Sequence, residues 1–287
     1  MLTFDPVTQD QPNDPNYPAS MHPVMFESGG CKILGTMFNA SGEGAHPVII
    51  LLHGFPGNEV NYDLAHTLRR QGFNILVFHY SGCWGSEGDY SWKNLAEDTQ
   101  AAINFIKSDK TAKNFRIDRE RIILAGHSMG GFAALYCSIF HDEIKNVISM
   151  AGFNSGGFGE ILAGNKMIYE YSVQTIEYSS KFVKNTSAQK LLNELIENKN
   201  EWNLLKFIDK LKEKNLLIIA SKYDNTAPAE IHHIPLVNAL KQNNAKNLED
   251  HILETGHSFS DKRIELARII SKWLERGIKN YYREKSS

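Results

Sequence analysis

The stretch Gly126-His127-Ser128-Met129-Gly130 constrains this chain more than any other. A buried-strand pattern, Arg121-Ile-Ile-Leu-Ala, runs into it, and a helix-forming run from Gly131 to Phe140 runs out of it. Strand, tight turn and helix in that order crowd the corner, and Gly126, Gly130 and Gly131 supply the small residues such a corner needs. The serine at the bend takes a strained backbone conformation, which stands its hydroxyl at the strand's carboxyl end. G-x-S-x-G alone is a common glycine-rich turn. The flanking strand and helix are what make Ser128 a candidate nucleophile.

A serine hydroxyl attacks poorly at neutral pH without a base, a group that orients the base, and donors for the developing oxyanion. Two further buried-strand patterns end in suitable residues. Asn215 to Ser221 leads into Lys222-Tyr-Asp224-Asn-Thr-Ala-Pro228, and Leu248 to Glu254 leads into Thr255-Gly256-His257-Ser258. Ser128, Asp224 and His257 are therefore all predicted past strand ends on one rim of one sheet. Taken singly, Asp224 is equally a turn or helix cap, and His257 is one of 11 histidines. Their common position selects them. A fourth apolar run, Pro47 to His53, breaks into Gly54-Phe55-Pro56-Gly57. Proline cannot donate, so the expected oxyanion donors are the backbone amides of Phe55 and Met129.

Strand patterns recur near 48–53, 75–80, 121–126, 146–151, 215–220 and 248–253, after two short strands within 24–38 joined at Gly29-Gly30. Helical patterns fall near 59–71, 94–107, 129–140, 229–242 and 260–275. This alternation predicts an α/β protein with a doubly wound, mostly parallel, eight-stranded sheet. The rhythm stops between Phe153 and Lys214, far longer than a crossover needs. The expected organisation is an extended N-terminal arm at 1–22, a core at 23–153 and 214–287, and a helical cap at 154–213. Most aromatics of that cap, such as Tyr171, Tyr178, Phe182 and Trp202, are expected to form its own core, with some facing the crevice.

Composition narrows the partners. The 287 residues carry a net charge of −2 with Lys and Arg scattered, which excludes a nucleic-acid footprint. Cys31, Cys83 and Cys137 are too few and too widely spaced for a disulfide framework or a zinc site, and His232-His233 has no matching ligand pair. No metal and no cofactor are expected. The acidic, proline-rich start has no Lys or Arg before Lys32, unlike a signal peptide, and no run approaches the roughly 18 to 20 apolar residues of a membrane span. A cytoplasmic location is expected; the oligomeric state stays open, a homodimer included.

With His53-Gly-Phe-Pro-Gly57, the elbow at 126–131, Asp224 with Ala227-Pro228, and Gly256-His257 in place, the chain from about Val24 onward resembles an α/β-hydrolase-fold serine hydrolase of the esterase, lipase and serine-aminopeptidase-like branch. The resemblance implies an acyl-enzyme on Ser128, His257 as base, Asp224 as orienting acid, and a small-molecule ester with a small or medium acyl or aryl group as substrate. One segment departs from the pattern: in Phe78 to Gly88, His79 and Ser81 stand where relatives commonly carry Asp and Arg. The alternatives are a serine aminopeptidase or acyl-peptidase-like amide hydrolase, an acyltransferase, and a catalytically silent binding module. An aminopeptidase needs a carboxylate for the substrate ammonium, and Glu59, Glu87, Asp89 and Glu160 are the candidates.

Overall fold

A near-continuous apolar strand is stable only when both of its faces are covered. In the computed structural model, which describes residues 4–285, Val48 to Leu52 are at most 1% exposed. They lie in β3 (His46–Leu52), one of eight strands. The others are β1 (Ser20–Ser28), β2 (Cys31–Asn39), β4 (Asn74–Phe78), β5 (Ile117–His127), β6 (Asn146–Met150), β7 (Asn215–Ser221) and β8 (Leu248–Leu253). They form one sheet in the order β1-β2-β4-β3-β5-β6-β7-β8. The hairpin β1–β2 and the β2–β4 pair are antiparallel and the remaining pairs parallel. This is the doubly wound, mostly parallel sheet that the sequence predicts.

Alternation along each strand divides the core in two. Ile49 and Leu51 face α1 (Tyr62–Arg70) and the final helix, through Leu64, Leu68, Leu266 and Ile270. Val48, Ile50 and Leu52 face α2 (Asn94–Lys107), α3 (Asp109–Asn114) and α4 (Met129–Ser138). Between β6 and β7 come α5 (Ser155–Gly164), α6 (Lys166–Ser180), α7 (Ala188–Glu197), a 3-10 turn (Leu204–Phe207) and α8 (Ile208–Leu211); α9 (Ala229–His232), α10 (Ile234–Gln242) and α11 (Arg263–Lys285) follow.

Three details differ from expectation. The helix expected over 229–242 is split into α9 and α10 because Pro235 lacks the N–H that a continuous helix needs and restricts the residue before it. The short α3 starts where the Ser108 side chain accepts from Thr111 N, a local cap. The N-terminal segment is tied to the body from residue 5 on: Arg70 Nε donates to Pro6 O at 2.8 Å, Asp5 pairs with Arg268 at 3.4 Å, and Val7 packs against the core layer of Leu64, Leu68 and Leu266. β1 starts at Ser20, inside the expected arm.

Candidate active site

The end of β5 runs into α4 through Ser128, whose φ of 57° and ψ of −121° lie outside the ordinary L-residue wells. Its N–H donates to Met150 O at 2.8 Å, and its carbonyl accepts from Gly131 N at 2.9 Å, so the bend is held from both sides. Strand and helix touch there: a Cβ at position 126 would sit 2.0 Å from Gly130 O, and one at position 130 would sit 2.2 Å from Leu52 O. Only glycine fits either place.

Asp224 and His257 meet across the ends of β7 and β8. His257 Nδ1 donates to Asp224 Oδ2 at 2.7 Å, and the other carboxylate oxygen accepts from Thr226 N at 2.8 Å and Ala227 N at 2.7 Å. Burial opposes ionisation of Asp224, but the His257 hydrogen bond and the two amides outweigh it and hold the carboxyl below its ordinary range. The loop carrying His257 is tied to the elbow itself. His127 Nε2 donates to the His257 backbone carbonyl at 2.9 Å, with the two rings 4.8 Å apart. Burial pushes the His127 imidazole down to about 4, so it stays neutral with its proton on Nε2. From the other side, Arg263 donates to Ser258 O at 3.1 Å and to Asn61 Oδ1 at 2.9 Å while pairing with Asp63.

The loop after β3 closes on the same point. A Cβ at Gly54 would lie 2.9 Å from Ser128 Cβ, so the backbone leading to the Phe55 amide runs against the serine. His53 Nδ1 donates to Gly54 O at 2.7 Å and Trp84 Nε1 donates to Pro56 O at 2.7 Å, fixing the loop at both ends. Met129 is the first residue of α4, so its amide has no acceptor within the helix and sits at the positive end of the helix dipole.

A cavity of about 230 Å³ opens beside Ser128. Phe55, Trp92 and Met129 form its core-side wall; Phe158, Ile168 and Tyr171, from the segment between β6 and β7, form the opposite one. Among the described residues, no Asp, Glu, Lys, Arg or His side chain lines it. Glu59, Glu87 and Asp89 are engaged elsewhere, with Asn61 N, Lys32 N and Asn185 Nδ2, and Glu160 does not line the cavity either. A larger depression of about 530 Å³ lies at the amino ends of β5 to β8, among Glu120, Asn146, Asn215 and Arg276, at the opposite end of the sheet from Ser128. Among the described residues, no group of three His, Cys, Asp or Glu could hold a metal ion, and no helix is long and apolar enough to cross a membrane.

A family model described as alpha/beta hydrolase fold matches residues 47–176, a range that includes the Ser128 turn, and β7 and β8 extend the same sheet beyond it. The chain has the α/β-hydrolase fold. Solved structures that align over 90% of the chain include an acylaminoacyl peptidase from Pyrococcus horikoshii, with TM-score 0.66, 20% identity and 41% of that chain covered, and Est1E from Butyrivibrio proteoclasticus, with TM-score 0.63, 21% identity and 99% covered. In sequence, the quorum-quenching protein AidA of Acinetobacter baumannii is 31% identical over 157 residues, 52% of this chain and 49% of AidA. The uncharacterized protein YfhR of Escherichia coli is 31% identical over 128 residues, 42% and 43% respectively. The matched stretch thus spans about half the length of these curated relatives.

Within this α/β-hydrolase fold, two contributors escape a reading of the sequence. Asp98 accepts from Ser81 N at 2.7 Å and from Ser81 Oγ at 2.9 Å, anchoring the loop where Asp and Arg were expected at 79 and 81. Its signal is an acid on the apolar stripe of α2, between Leu95 and Ala102. His127, the variable residue of the elbow, gives no such signal, because its acceptor is a backbone carbonyl 130 positions away.

Proposed function

We propose that this chain is a serine hydrolase that cleaves small or medium acyl and aryl esters through an acyl-enzyme on Ser128. The observation that carries the reading is the hydrogen bond from His257 Nδ1 to Asp224, whose second oxygen is pinned by two amides, on a loop held by the residue next to Ser128. With Nδ1 committed to Asp224, Nε2 is the nitrogen left to take the Ser128 proton as Oγ attacks the carbonyl carbon. Asp224 stabilises the imidazolium, and the Phe55 and Met129 amides receive the oxyanion. His257 then gives its proton to the leaving alcohol, and water attacks the acyl-serine by the same path reversed. The helices between β6 and β7 act as a cap that shapes the acyl site. Esters are favoured over aminoacyl amides because, among the described residues, no carboxylate lines the cavity to meet a substrate ammonium.

Replacing Ser128 by Ala is expected to abolish both turnover of p-nitrophenyl acyl esters and covalent labelling by an organophosphonate, with the circular dichroism spectrum retained. Full labelling of the Ala variant removes Ser128 as nucleophile. Faster turnover of aminoacyl p-nitroanilides than of the esters replaces the esterase reading with a peptidase one.

A further inference from the structure

We propose that Trp84 and Phe182 form an outer subsite that holds the far end of the substrate's acyl group and favours a flat aromatic end. This deepens the ester-hydrolase reading and rests on it. The inner cavity, about 230 Å³, is smaller than the roughly 300 to 1,000 Å³ of ordinary ligand sites. A medium-sized substrate therefore extends past its mouth.

Trp84 lies outside the cavity, against the residue that follows Phe55 of its wall. Its φ of 41° is in the left-handed region, costly for a side chain of this size, yet the residue is 44% exposed, so burial does not repay the strain. The bond from its indole N–H to Pro56 O and the close approach of its ring to Gly57 lay the indole against the loop that carries the Phe55 amide. Phe182, 46% exposed, stacks on it with ring centroids 6.1 Å apart and planes 14° from parallel. Main-chain bonds fix this register. Cys83 and Val183 form a β-bridge, Lys184 N donates to Gly82 O at 2.9 Å, and Tyr90 N donates to Lys184 O at 3.0 Å. Two remote loops are thus stapled together with a pair of aromatic faces left open to solvent. One side of α6 leads from the cavity toward the pair: Tyr171 lines the inner space and Tyr178, seven residues on along the same side, meets Phe182 edge-on.

Strand order decides which half of the substrate reaches the pair. Trp84 follows β4, two places from β5 on one side, while His257 follows β8, three places away on the other. The leaving-group oxygen must be reached by His257, so the group running toward Trp84 is the acyl group.

The test holds the leaving group constant and compares kcat/KM for p-nitrophenyl phenylpropanoate with that for p-nitrophenyl acetate. An aromatic contact of this kind is expected to contribute roughly 3- to 10-fold. Trp84→Ala and Phe182→Ala should each lower the ratio by that factor, and Trp84→Phe should keep most of it. Phe182 meets the rings of Trp84 and Tyr178, whereas Trp84 also donates to Pro56 O, so the Phe182 variant remains informative if Trp84→Ala fails to fold. An unchanged ratio, an equal loss on both esters, or a ratio that moves only when the alcohol is varied overturns the subsite. Ser128-dependent hydrolysis with an unshifted ratio rejects the subsite alone. Absence of any Ser128-dependent ester hydrolysis rejects the subsite and the underlying reading together.

Discussion

Asp224 shows how much one carboxylate can do through position. One oxygen is spent on two backbone amides and the other on His257 Nδ1, so the acid has no freedom to rotate away and the imidazole has no freedom to change tautomer. Asp224→Asn keeps the shape but offers an amide N–H or a neutral oxygen in place of the carboxylate. The expected result is a fall in kcat of about 1,000- to 10,000-fold with the melting temperature little changed, read from steady-state kinetics and calorimetry. At this scale Ser128, Asp224 and His257 were legible because each follows a recognisable strand end, and Ser128 also because only glycine tolerates a backbone 2.0 Å from where a Cβ would be. His127 was not, since a bond to a distant main-chain carbonyl leaves no mark on local sequence.

At the scale of elements, Asn154 joins the sheet to the helices above it. Its side-chain oxygen accepts from Leu204 N at 3.0 Å, its amide donates to Asn203 Oδ1 at 3.1 Å, and its backbone N–H donates to His232 Nδ1 at 3.1 Å. All of this is buried, so removing the side chain strands partners away from water. Asn154→Ala should cost about 2 to 4 kcal/mol. The loss should appear first as faster amide hydrogen exchange across 155–211 while β3, β5 and β6 stay protected. Uniform acceleration over the whole sheet would contradict the anchoring role. The eight strands and α2 were readable from periodicity. The way α5, α6 and α7 pack was not, because a helical period names the face to be covered and says nothing of what covers it. The break between α9 and α10 was written in Pro235 and lost within an otherwise helical run.

For the molecule as a whole, burial has been imposed on four histidines that an unfolded chain would protonate near 6.5. It pushes His53 down to about 3 and His127, His232 and His233 to about 4. Below pH 6.5 the unfolded state binds protons that the folded state refuses, so stability falls with falling pH until the folded values are reached. Asp224, also depressed, adds a loss of the same sign at lower pH. Each of the four is worth on the order of a few kcal/mol at the acid end, against a total of about 5 to 15 kcal/mol for a typical domain. Urea midpoints should therefore decline steadily from pH 7 to pH 5, with cooperative unfolding before pH 4. A midpoint independent of pH over that range would mean these rings are not held neutral. The eleven histidines are visible in the sequence; which of them lose water is a property only the assembled sheet and helices possess.

The meeting of Gly156 N with Trp202 O at 3.0 Å has a consequence of its own. The excursion from 155 to 202 departs and returns at one doorway framed by Asn154 and Asn203, and between those ends Val183 and Lys184 tie it to the loop after β4. A segment that kept this doorway and the main-chain ties of Val183 and Lys184 to the loop after β4 could change its other residues, in a lineage or in an engineer's hands, while the strand ends that carry Ser128, Asp224 and His257 keep their places.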